Sequence, residues 1–174
     1  KYANHRGSAF GHLGQPPQPS SEYFENLLFM EWKNFDLSHP IWIEDENQQI
    51  GNIFIPGPLW LQMQKSPVFM IDISLETRIK RLMADYACFN TEHLVSCFEK
   101  LGRRIGLENL KIAIDCLRND DLKTACQIVL QYYDKAYQNS LSKKNPELVN
   151  LIQCNDPDSI LIAEMLQSQV NSLL

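Results

Sequence analysis

Pro40–Glu46 reads PIWIEDE and Pro67–Ile73 reads PVFMIDI. Each is a short apolar run of strand length, bounded by polar residues, and each is apolar on both faces, as covered parallel strands are. Pro58–Gln64 (PLWLQMQ) lies between them and opens on a proline, which a first helical turn accepts. Strand, helix, strand is the sequence form of a βαβ unit, so the two runs are expected to be adjacent or near-adjacent parallel strands.

Downstream of Ser74 the pattern reads as helical throughout. Leu75, Ile79, Leu82 and Tyr86 share one face, and Leu94, Phe98, Leu101 and Ile105 another. Leu107, Leu110, Ile114 and Leu117 form a third face, and Leu122, Cys126, Val129, Tyr133 and Ala136 a fourth. Asn90 and Asp120 stand where N-caps are wanted. Pro146–Gln153 is expected to be a short helix, and Asp156-Pro157 to open a last one running to about Leu173. Upstream, Ser20 or Ser21 caps a helix whose apolar stripe (Tyr23, Phe24, Leu27, Leu28, Met30) extends to about Phe35. The division expected is a partial α/β domain over 1–90, a helical region over 91–141 and a helical extension over 142–174. Two strands make no independent sheet, and the chain opens on Lys1 in a polar loop. Further strands are therefore expected before it.

The 174 residues are 44% hydrophobic and 21% charged, the balance of a globular chain rather than a disordered one. The net charge of -5 argues against a domain living on phosphate contacts alone, though not against a local basic patch. Cys88, Cys97, Cys116, Cys126 and Cys154 form no CxxC pair. An odd number without metal spacing points to free thiols in a reducing, cytoplasmic setting, with Cys88, Cys116 and Cys126 at or near core positions of helices. No structural metal is expected, and no apolar run approaches the roughly 20 residues of a membrane helix.

Four constellations carry candidate chemistry. In His5-Arg6-Gly7-Ser8, followed by Gly11 and Gly14, small residues let the backbone approach a phosphate and an arginine can fork onto its oxygens. The spacing is not GxxxxGK[ST], which occurs nowhere in the chain; a plain surface loop is the alternative. Glu44-Asp45-Glu46 closes the first expected strand, where a carboxylate can hold magnesium or act in acid–base work. A solvated strand end is its alternative. Arg78 and Arg81 lie three apart on a helix, placed to clamp phosphates or to solvate that face. Lys100, Arg103 and Arg104 in KLGRRIG suit an RNA backbone as well as a helix C-terminus.

Taken in order, NHRGSAFGHLGQPPQPSSEYFEN (Asn4–Asn26), PIWIEDENQQIGNIFIPGPLW (Pro40–Trp60) and PVFMIDISLETRIKRLMADY (Pro67–Tyr86) resemble the bacterial tRNA 2-selenouridine synthases, over roughly residues 1–141. The resemblance implies an α/β fold: a fragment of a P-loop, nucleotide-kinase-like parallel sheet followed by a helical C-terminal region. It implies an enzyme that converts wobble 2-thiouridine to 2-selenouridine through an S-geranylated intermediate. Its substrates are tRNA, selenophosphate and geranyl diphosphate, and a rhodanese-like domain carries the reactive cysteine. Under that resemblance Arg6, Gly7, Ser8, Arg78 and Arg81 hold diphosphate, with Glu44, Asp45 or Glu46 as magnesium ligand or acid–base group. Lys100, Arg103 and Arg104 then face RNA. No cysteine here inherits the rhodanese role, so the chain alone is expected to be inactive.

Two readings compete. A nucleoside or nucleotide kinase domain would share the βαβ unit and the arginine-bearing helix. A non-catalytic RNA-binding helical module would share the basic helix end.

Overall fold

The computed structural model describes residues 2–154 and 158–171. The chain divides into two compact units, Lys1–Ser66 and Pro67–Leu174.

In the first unit, helix α1 spans Ser21–Trp32, with the Ser20 side chain accepting from the Tyr23 amide. The expected cap is therefore in place, but the stripe buries only Phe24. Tyr23, Phe29 and Met30 stay more than half exposed. Strands β1 (Gln49–Ile50) and β2 (Ile53–Phe54) form a small antiparallel hairpin, with Ile50 opposite Ile53. Gly51 turns it at φ +61, where a two-residue hairpin turn needs a residue without Cβ. Helix α2 covers Gly57–Gln64 with proline in its first turn, as the sequence pattern requires.

Gln18 holds this unit together. Its Nε2 donates to the Ala3 and Ile50 carbonyls, both at 3.0 Å, and its Oε1 accepts from the Asn52 amide at 2.8 Å. One amide thus ties the N-terminal segment to both ends of the hairpin turn. The contact sits beside a cluster of Ala3, Phe24 and Ile53, with Leu28 and Ile50 packed against it.

Pro40–Glu46 is not a strand. The segment is irregular, and Trp42 and Ile43 are about half exposed. The hairpin begins three residues later at Gln49, and a run that ends in three carboxylates has no ladder partner among the described residues.

In the second unit, strand β3 (Val68–Asp72) falls where expected, but its partner lies at the far end of the chain. It pairs in parallel with β4 (Val149–Gln153), Val68 opposite Val149 and Asp72 opposite Gln153. Pro146–Gln153 is therefore only briefly helical. Pro146–Leu148 makes one 3₁₀ turn, capped by the Asn145 side chain on the Glu147 amide, and then Val149 and Ile152 favour the extended form. The all-helical reading after Ser74 fails at this strand, and so does the βαβ unit expected between 40 and 73.

Between the strands run α3 (Leu75–Tyr86), α4 (Thr91–Leu101), α5 (Leu107–Arg118) and α6 (Leu122–Leu141). The face Leu94, Phe98, Leu101 and Ile105 is buried as its spacing predicts. Helix α3 packs on α6 through Ile79, Cys126 and Leu130, with Leu82, Met83 and Leu122 around them. Asn90 caps α4, accepting from Glu92 at 2.8 Å. The α6 cap is Asp121, accepting from Thr124 at 3.0 Å, while Asp120 takes a left-handed φ of +59 in the preceding turn. Cys88 is exposed, whereas Cys97, Cys126 and Cys154 are buried. Cys88 lies past the end of α3, so helical spacing does not bury it. Helix α7 spans Ser159–Asn171, and the Asp156-Pro157 opening expected for it lies outside the described residues. Among the described residues no helix is long and apolar enough to cross a membrane.

A Cβ added at Gly51 would meet Gln18 Oε1 at 2.2 Å in a backbone region that L-residues avoid. Gly51→Ala should therefore destabilise the first unit by about 1–3 kcal/mol, read by thermal melting. In the second unit, Asp134→Ala should cost about 1–2 kcal/mol, because it strands the half-buried Arg78 guanidinium described below. The Arg78→Ala/Asp134→Ala double variant should cost less than the two single changes added together.

Candidate functional site

The glycine-rich loop of the first unit closes on itself. The Arg6 amide donates to Gly11 O at 3.0 Å and the Gly11 amide to Ser8 O at 2.9 Å. The Gly7 amide donates to His5 Nδ1 at 3.1 Å, and the Phe10 amide to Ser8 Oγ at 3.2 Å. Four amides that a phosphate cradle would use are thus engaged within the loop. What the loop offers a ligand is side chains. Arg6 is exposed. With the Gln15 amide oxygen facing it, that oxygen accepts from Arg6 Nε at 3.2 Å and Nη2 at 3.3 Å.

The fold brings this loop against the acidic triplet. Gly7 has φ +79, and a Cβ there would meet both Glu46 carboxylate oxygens at 2.2 Å. A side chain here would strain the backbone and push the Glu46 carboxylate aside. Glu46 is half-buried while Glu44 and Asp45 are exposed, and the Glu46 amide donates to Glu44 O at 2.8 Å. Burial, followed by repulsion from Glu44, raises the Glu46 carboxyl above the ordinary glutamate range, and Asp45 adds to the repulsion. Two of the four constellations read from sequence therefore meet, at Gly7 and Glu46.

A groove of about 310 Å³ lies in the same unit. Trp32, Ile41, Ile43, Leu59 and Met63 supply its apolar wall, and His39 lies on its lining. In the sequence His39 has no second metal ligand at a suitable spacing. The signal that marks it is local: Asp36, Ser38 and His39 fall within four residues, close enough to hydrogen-bond one another. Among the described residues no three His, Cys, Asp or Glu side chains converge as a metal site.

In the second unit Arg78 and Arg81 part company. Arg78 reaches across from α3 to α6, where both its terminal nitrogens donate to the Asp134 carboxylate, Nη2 to Oδ2 at 3.0 Å. The Asp134 hydrogen bond, more than the nearby Asp72 charge, raises the already high guanidinium pKa. Its Nε is buried without a hydrogen-bond partner. A phosphate would therefore have to compete with Asp134 for this side chain. Arg81 is exposed. The sequence pattern offered no way to foresee Asp134, since it is 56 residues from Arg78.

Lys100 is exposed near the end of α4. Arg103 and Arg104 are exposed on the 3₁₀ turn Gly102–Ile105 that follows. Gly102 (φ +48) and Gly106 (φ +86) bracket the turn, and buried Ile105 pins it to the core. The two arginines are thus presented from an anchored turn rather than a loose loop.

A family model described as the tRNA 2-selenouridine synthase AAA domain matches residues 1–170. The tRNA 2-selenouridine synthase of Marinobacter nauticus is 28% identical, over 84% of this chain and 48% of its own length. That of Aeromonas salmonicida is 29% identical over 85% and 48%, and that of Cupriavidus pinatubonensis 38% identical over 61% and 28%. The chain spans about half, or less, of the length of these relatives. No solved structure matches it. With the match running over nearly its whole length, the chain belongs to the tRNA 2-selenouridine synthase AAA domain family.

Proposed function

We propose that this chain is the tRNA- and diphosphate-binding part of a tRNA-modifying transferase. The whole enzyme converts wobble 2-thiouridine to 2-selenouridine through an S-geranylated intermediate, using geranyl diphosphate and selenophosphate, with a rhodanese-like domain in cis supplying the reactive cysteine. The observation that carries the diphosphate part is the meeting of the Arg6–Ser8 loop with the Glu44–Glu46 acids, in the unit that also holds the apolar groove. Arg6 and the Ser8 hydroxyl bind diphosphate oxygens, and the groove takes the isoprenoid chain. In the second unit Arg81 is an exposed cation on α3 that can take a phosphate of its own, while Arg78 serves the α3–α6 contact first. Magnesium takes one or two carboxylates plus phosphate oxygens, and exposed Glu44 and Asp45 fit that habit. Bound there, it would neutralise charge on the leaving pyrophosphate.

Glu46 carries the cost of this arrangement. Its ionised form is disfavoured in the folded chain, so stability should rise as pH falls through its raised pKa. Below the ordinary glutamate pKa the folded and unfolded chains are both protonated and the penalty is gone. Glu46→Gln should therefore raise the melting temperature near pH 7 and have little effect near pH 3–4, in melts across that range. An equal effect at both ends would show that ionisation of Glu46 is not the cause.

Arg103→Ala with Arg104→Ala, in the intact enzyme, should reduce the salt dependence of tRNA binding by roughly 0.7–0.9 in log–log slope for each phosphate that the pair neutralises. Geranyl diphosphate binding should change little. If the arginines serve only the end of α4, the slope stays put and stability falls by about 0.3–1 kcal/mol for each. tRNA titrations at several salt concentrations beside a thermal melt separate the two.

A further inference from the structure

We propose that His39 is a catalytic base at the apolar groove, oriented by Asp36, which takes the N3 proton of a thiolated uracil while its sulfur is alkylated. This assignment rests on the transferase reading above and gives that site its proton acceptor.

The hydrogen-bond network settles the tautomer. Asp36 Oδ1 accepts from the Ser38 amide at 3.0 Å and from Ser38 Oγ at 2.7 Å. His39 Nδ1 lies 3.1 Å from Asp36 Oδ2 and 3.0 Å from Ser38 Oγ. The hydroxyl proton of Ser38 is committed to Asp36, so towards Nδ1 both oxygens can only accept. Nδ1 therefore carries the hydrogen, and Nε2 is the ring's acceptor. The Ser38 hydroxyl, then its amide, hold the Asp36 carboxyl below its ordinary range, so it remains ionised and favours the imidazolium that forms. His39 lines the groove with Trp32, Ile41, Ile43, Leu59 and Met63. Leu37, Gln62 and Ser66 complete that lining, which holds no other ionisable side chain. Because Asp36 and Ser38 already share Nδ1, this is not a nucleophilic triad, and Ser38 is not an attacking group.

The chemistry needs a base at this point. The 2-thio sulfur attacks the prenyl carbon, the S–C bond forms, the C–O bond breaks, and pyrophosphate leaves with the electron pair. The alkylated ring would be cationic unless N3 lost its proton. The N3–H electrons return to the ring, and the proton goes to His39 Nε2. The apolar walls give the prenyl chain a surface to lie on, and His39, itself largely exposed, stands on the same lining within reach of the reacting base.

The test uses the intact enzyme, geranyl diphosphate and an anticodon stem-loop containing 2-thiouridine. His39→Ala should lower kcat for geranylation by about 10²–10⁴-fold with little change in KM. It should also abolish the acidic limb of the kcat–pH profile, and added imidazole should restore part of the rate. Asp36→Asn should lower kcat with little change in KM, and Asp36→Glu should restore part of that rate. A merely structural aspartate would leave kcat unchanged. His39 is exposed, so both variants should melt like wild type. An active wild type with an undiminished His39→Ala rate would overturn the role of His39 alone. An inactive wild type would overturn the transferase reading, and the role with it.

Discussion

The pairing of Val68–Asp72 with Val149–Gln153 is the constraint on which the second unit depends. A parallel pair cannot be closed by a turn, so the chain must leave one end of the ladder and return to the other. The return path here is α3 to α6. Each of these helices buries a face against a neighbour because the path has to double back: α3 on α6, α4 on α5, and α5 on α6. The Arg78–Asp134 pair and the Ile79–Cys126–Leu130 cluster fasten the first of those helices to the last.

Helices were legible in the sequence because their signals are local. Ser20, Ser74 and Asn90 cap the helices that follow them, and the face Leu94–Ile105 is buried at its predicted spacing. Strand partners are not local. PIWIEDE and PVFMIDI look alike over a window of seven residues, yet only the second finds a ladder, and its partner VNLIQ follows a proline-led turn that imitates a helix start. The wrong pairing came from taking neighbours in sequence for neighbours in space.

The candidate site divides in the same way. The glycine-rich loop and the acidic triplet were visible as composition, and the structure adds that they touch through Gly7. It also shows that most of the loop amides already have partners, which shifts the weight from backbone to Arg6 and Ser8. Arg78 looked like its neighbour Arg81 until Asp134 claimed it. The Asp36–Ser38–His39 network went unread because a metal-ligand search asks for distant partners, whereas this histidine is oriented by residues one and three positions away.

The distance along the chain between β3 and β4 also bears on biosynthesis. Val149 leaves the ribosome roughly 80 residues after Val68, on the order of 4–16 s later at ordinary elongation rates. Throughout that interval VFMID lacks the ladder that β4 supplies, and it is a short apolar β-forming segment of the kind that associates with other chains. The helices α3 to α6 can form as they emerge, since helix growth is far faster than synthesis. All four helices are made before Val149, so the α3–α6 contact at Ile79 and Met83 has its partners to hand while the β3–β4 ladder still waits for its second strand.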